Sequence, residues 1–134
     1  MHRPTLRSAV AILLLGLAHT VCAEEPPPMK LRGEVVDPAL YLREGRHGSE
    51  LEADTYEAVD GGQTLALLED GTGVVYLFLA AQSGEDPNEL AYDYVGKAVT
   101  VTGTVYERGG IKGVVPTAVE PVTPSSAAAQ PKTQ

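Results

Sequence analysis

Apolar and polar positions divide the chain into short runs of two periods. Lys30–Val36 (KLRGEVV), Thr64–Leu68 (TLALL) and Val74–Leu79 (VVYLFL) predict three strands. The last two are joined by Glu69-Asp-Gly-Thr-Gly73, whose Asp-Gly between β-forming runs signals a hairpin. Asp86-Pro-Asn-Glu-Leu-Ala-Tyr-Asp-Tyr-Val-Gly96 predicts a helix. Asp86 suits its N-cap, Pro87 its first turn and Glu89 a capping pair; Leu90, Ala91, Tyr94 and Val95 form an apolar stripe that Gly96 ends. Lys97–Tyr106 then alternates, with Val99, Val101, Gly103 and Val105 on one face and Thr100, Thr102, Thr104 and Tyr106 on the other. After the turn Glu107-Arg-Gly-Gly110, Ile111–Val119 predicts the last strand, with Pro116 marking an edge or a bulge.

Between the first two strands, Ser49 and Glu52 repeat the capping pattern and Gly61-Gly62 closes it, so a short helix is expected there. Leu51, Asp54 and Ala58 share one face of that helix, and Leu40 lies upstream where the chain can fold over it. The order of elements is that of the OB-fold. The expected fold is thus all-β with helices: a five-stranded OB-fold-like Greek-key barrel, a helix between strands three and four, and a short inserted helix between strands one and two. Another small β-barrel is the alternative. Gly33 and Gly103 suit the tight coiling such barrels need.

The flanks change the picture of where this domain works. His2, Arg3 and Arg7 precede the apolar run Ala9–Ala18, and Val21-Cys22-Ala23 supplies compact residues before a cleavage point. Residues 1–23 therefore read as a signal peptide, too short to span a membrane, cleaved after Ala23. Lipidation at Cys22 is the alternative, disfavoured by Val21 before it. A periplasmic or secreted protein is expected, with no membrane span once the signal is removed. Residues 24–28 form a Pro-rich lead-in, residues 29–120 the domain, and residues 121–134 (PVTPSSAAAQPKTQ) a tail too poor in apolar groups to order itself.

Cleavage also removes the sole cysteine, and with it any disulfide, thiol nucleophile or thiolate ligand. The net charge of −8 becomes −10 when Arg3 and Arg7 are lost. Such an acidic surface repels phosphate backbones, so nucleic acid is an unfavourable partner.

Over residues 31–120 the chain resembles a family of small exported bacterial OB-fold proteins. Matching positions are Gly33, Val35-Val36-Asp37, Tyr41-Leu42, Gly45, Gly48, Gly62, Leu67-Leu68, Val75-Tyr76-Leu77 and Gly96 through Ile111. The family pattern includes a Cys…His-x-x-Cys…Cys set, which suggests a soft-metal or redox cluster. Those positions hold Leu40, Leu51, Asp54 and Ala58 here. Leucine and alanine ligate nothing, and a zinc site takes about four donors. The resemblance thus implies the fold without the metal or thiol chemistry, and the replaced helix face is expected to pack on the barrel.

No catalytic constellation stands out. His47 is the only histidine beyond residue 23, and Ser49, Ser83, Ser125 and Ser126 sit in cap, loop and tail contexts. OB-folds bind across strands two and three, between the loops that join strands one–two and four–five. Those loops carry Arg43, Arg46 and His47, and Arg108 and Lys112. If the two loops meet, they make one basic end for a carboxylate, a phosphate or an acidic partner surface; otherwise Glu44, Glu50 and Glu107 neutralise them. Tyr76 and Phe78 offer stacking faces only if the other face of their strand is the core. Glu69-Asp70 and Glu85-Asp86 match no calcium loop and suit turn and cap roles. The expected function is a non-catalytic exported binding domain for a small ligand or partner protein, with no cofactor and no metal. The alternative is a metal-handling or redox-linked periplasmic protein.

Overall fold

Five strands close on themselves in the computed structural model, which describes residues 23–123. Cys22, the rest of the predicted signal peptide before Ala23, and residues 124–134 lie outside the described part. The strands are β1 (Met29–Val36), β2 (Ala66–Glu69), β3 (Val75–Phe78), β4 (Ala98–Arg108) and β5 (Ile111–Pro121). They run β1-β2-β3-β5-β4 around a closed barrel. Every pairing is antiparallel except β3 with β5, which run parallel over Tyr76↔Lys112 to Phe78↔Val114. β1 serves two neighbours: Glu34, for instance, faces Leu68 on one side and Ala98 on the other.

The alternation read in the sequence explains which side faces inward. Val99 and Val101 of β4, Leu31 and Val35 of β1, Leu67 of β2, Tyr76 and Phe78 of β3, and Val114 of β5 fill the barrel. Each such side chain contributes about 1.5–3 kcal/mol relative to exposure. Gly33 and Gly103 stand where strands coil tightly. A β-carbon on either would collide with a backbone carbonyl oxygen, that of Leu68 or of Val115. Pro116 sits beside a bulge: Gly103 pairs with Pro116 and Thr102 with Ala118, leaving Thr117 extra, its hydroxyl donating to the Thr102 carbonyl at 3.2 Å. β5 also runs past its expected end. Pro121 pairs with Val99 and the Val122 N–H donates to Ala98, so the predicted tail begins inside the sheet.

Two helix expectations need correction. Residues 86–96 form turns that end in a 3₁₀ turn at Tyr92–Tyr94, with no α-helix. Asp86 does cap, its Oδ1 accepting the Asn88 N–H at 2.9 Å. Asn88 then turns its amide away from this segment. Its Oδ1 accepts the Leu65 N–H at 2.7 Å and its Nδ2 donates to the Gln63 carbonyl at 3.1 Å. Those bonds tie the segment to the run before β2 in place of continuing a helix. Ala91 and Val95 still plug the core, whereas Leu90 is exposed.

The link from β1 to β2 holds two α-helices where one was expected: α1 (Pro38–Glu44) and α2 (Glu52–Asp60). α1 carries standard signals, with Asp37 capping Ala39 at 2.8 Å, Pro38 at its start and Gly45 left-handed (φ 68°) at its end. Ser49–Leu51 is a separate 3₁₀ turn with no side-chain cap bond. That turn resets the helical phase, so Leu51 and Thr55 are buried and Asp54 is exposed, contrary to the predicted Leu51–Asp54–Ala58 face. Among the described residues, no helix is long and apolar enough to cross a membrane.

Candidate functional site

The outside of the barrel is not uniformly polar. Val36, Ala66, Leu68, Val75 and Leu77 project outward from β1, β2 and β3, and Tyr41 of α1 packs over them. This cover ends at β3. Beyond it, Leu77 pairs with Gly113 and Gly113 pairs with Tyr106, so one glycine separates two large side chains across three strands. Leu79 leans over that glycine; a β-carbon on Gly113 would lie 2.5 Å from its Cδ1. The result is an open groove of about 540 Å³, lined by Leu77, Leu79, Tyr106 and Ile111 with Arg108 and Lys112 at its rim. Ile111 is 66% exposed, a large apolar side chain left in water beside a two-glycine turn.

Charge at the rim is unevenly matched. The Lys112 ammonium lies 3.0 Å from Glu107 and 5.9 Å from the centre of the Tyr76 ring. The hydrogen bond to Glu107, and then that carboxylate's charge, hold its pKa above the ordinary lysine value against a smaller opposing desolvation. The Tyr106 hydroxyl donates to Glu25 of the lead-in across a long 3.4 Å. Desolvation, followed by the Glu25 charge, raises its pKa, so the phenol remains a donor at neutral pH. Arg108 makes no ion pair among the described residues.

The other loop is held by its own carboxylates. His47 Nδ1 lies 2.9 Å from Glu34 Oε2, and its ring meets Tyr41 edge-on at 5.8 Å. Arg46 pairs with Glu44 at 3.3 Å; Arg43 reaches Glu44 at 3.9 Å and donates to the Ala39 carbonyl at 3.3 Å. Arg46 and His47 border a cavity of about 10 Å³ with Leu40, Leu51 and Thr55, while Arg43 faces a separate open hollow with Asp37, Ala58 and Gln63. Glu34 Oε1 is buried with no partner.

The five predicted residues thus fall in three places. β1 and β4 are antiparallel, so the loop after Val36 and the turn after Arg108 leave the barrel at opposite ends. No hydrogen bond or ion pair joins them among the described residues, and the single basic end is not formed. Glu34, Glu44 and Glu107 engage four of the five, which leaves Arg108 alone. No family model, curated protein or solved structure matches the chain.

The remaining candidates have structural roles. Tyr76 and Phe78 are buried in the barrel and offer no stacking face. Glu69 accepts the Thr72 hydroxyl at 2.6 Å, and Asp70 pairs with Arg32 at 3.4 Å. Leu40, Leu51, Asp54 and Ala58 do not form one packed face: Leu40 and Leu51 share the small cavity, Asp54 is exposed and Ala58 lines a different hollow. Among the described residues, no three His, Cys, Asp or Glu groups are placed to hold a metal. What the sequence reading missed is the apolar part of the groove. Its signal was present, because β3 is as apolar on its outward face as on its inward one, and Ile111 directly follows Gly109-Gly110.

Proposed function

We propose that this chain is a non-catalytic, OB-fold-like binding domain, exported by its N-terminal signal, that takes a small ligand or partner protein in the groove beside the β4–β5 turn. The strand order, with β3 parallel to β5 and β1 closing on β4, supports the OB-fold assignment. The observation that carries the binding reading is the juxtaposition of apolar Leu77, Leu79 and Ile111 with Arg108, which makes no ion pair among the described residues. Binding sites commonly combine an apolar lining with a few placed polar groups. The charge of the chain argues against nucleic acid as the ligand.

The test is native mass spectrometry of untagged protein recovered from a periplasmic extract. A chain beginning at Glu24 with a bound small molecule or protein, lost from Ile111→Asp, is the expected result. Bare protein without any partner refutes the binding reading, and a chain still starting at Met1 refutes export by cleavage. Stoichiometric copper or zinc puts the metal-handling alternative in its place.

A further inference from the structure

The groove carries more information than its existence. The chain is acidic, yet the groove gathers Arg108, Lys112 and the Tyr106 hydroxyl; its one lining carboxylate, Glu107, is taken up by Lys112, and Arg108 makes no ion pair among the described residues. A carboxylate already approaches from outside the β4–β5 hairpin: Glu25 accepts from the Tyr106 hydroxyl.

Register fixes the spacing. Tyr106 pairs with Gly113, and Arg108 pairs with Ile111. Gly113 makes the hollow, and Arg108 stands two residues along the ribbon, about 6.5–7 Å away at strand rise. Two residues of an extended peptide span the same distance. An extended segment therefore sets an apolar side chain into the hollow over Gly113 and a carboxylate at Arg108 without bending. A guanidinium grips a carboxylate with two parallel hydrogen bonds, which favours this end of the segment being Asp or Glu.

We infer that the groove is a docking site for an extended segment of a partner protein, in which an apolar residue and a carboxylate stand two positions apart. This deepens the binding reading above and rests on it. Leu77, Leu79 and Ile111 take the apolar side chain, and Arg108 takes the carboxylate. The acidic remainder of the surface repels segments that carry several negative charges, so one carboxylate in an otherwise uncharged stretch is the fitting pattern.

The test is selection of phage-displayed random dodecapeptides on the full mature protein, with Arg108→Glu and Ile111→Asp variants as counter-screens. Both side chains are exposed, so both variants are expected to keep the parent's thermal midpoint. The expected result is enrichment of peptides with an apolar residue two positions from Asp or Glu. Their affinity should fall at least tenfold with either variant, and Arg108→Glu should gain affinity for the same peptides carrying Lys in place of the acid. Enriched peptides without an acid, or indifferent to Arg108→Glu, overturn the inference. If they still depend on Ile111, the groove remains a binding site of different specificity. No enrichment at all also overturns it; the native spectrum then decides separately whether the domain binds a small molecule, so the two readings fail independently.

Discussion

Replacing Asn88 by alanine tests the account of how the barrel is fastened. Asn88 is 6% exposed, and its side chain satisfies the Leu65 N–H at 2.7 Å and the Gln63 carbonyl at 3.1 Å. Leu65 is fully buried, so truncation leaves its N–H without its protein acceptor in the interior. An orphaned buried donor costs about 1–3 kcal/mol, and the second lost hydrogen bond adds about 1 kcal/mol. The expected loss is therefore about 2–4 kcal/mol, a large share of the roughly 5–15 kcal/mol that holds a domain of this size. In urea, with a slope near about 1.5 kcal/mol/M, the midpoint should fall by roughly 1.3–2.7 M at unchanged slope. Asp86→Ala removes only an exposed cap and should cost about 0.5–1 kcal/mol. Amide exchange provides the local check: the Leu65 N–H should be protected in the parent and exchange rapidly in Asn88→Ala. A midpoint shift below roughly 0.3 M, or retained protection at Leu65, would show that Asn88 does not fasten this segment.

Gly103→Ala should lower stability by about 2–3 kcal/mol or more, because its β-carbon meets backbone at Val115 and Pro116 that has nowhere to move. Gly45→Ala, in open space at φ 68°, should cost only about 1–2 kcal/mol of left-handed strain, and thermal melts of the two variants compare them directly. His47→Leu should cost about 1–3 kcal/mol in the same melts, since it leaves the Glu34 carboxylate, whose side chain is only 21% exposed, without its 2.9 Å partner; a change below about 0.5 kcal/mol would mean that this contact does not support the barrel. Stability should also decline at alkaline pH. Tyr56, Tyr106 and Lys112 all have raised pKa values, so the folded chain keeps protons that the unfolded chain releases from about pH 10 upward. Their contribution is fully present below the ordinary values of 10.0 and 10.5 and is lost as pH rises through the folded ones. Urea titrations between pH 8 and pH 11.5 check this, and Lys112→Met should weaken the decline.

The barrel was legible because its signals are local. Alternation in Lys97–Tyr106, the Asp-Gly hairpin and the Gly-Gly turn each specify their own few residues. Residues 86–96 misled for the same reason, since every helix signal there is genuine at short range. What cancels them is Asn88, whose partners lie at Gln63 and Leu65, beyond any local window. α1 is the opposite case, with Asp37, Pro38 and Gly45 all in plain view but read as loop. The basic residues were legible as a set, and their dispersal was not. Which carboxylate each one meets depends on loop paths, and the opposite exits of the two loops follow only once β1 is known to lie antiparallel to β4. The groove depends on Gly113 standing between Leu77 and Tyr106, an adjacency of three strands that no single run discloses.

The double pairing of β1 has a consequence for the order of assembly. The β2–β3 and β4–β5 hairpins each form from neighbouring residues, but β1 meets β4 only across about seventy residues of chain. Loop closure over that distance makes the last seam slow, so folding belongs nearer the millisecond-to-second range of barrels than the microseconds of helical bundles. Until β4 has been made, β1 presents Leu31 and Val35 on an open edge. A chain cut short before Ala98 therefore exposes a sticky strand instead of a smaller barrel, and during synthesis the first strand must wait for nearly the last.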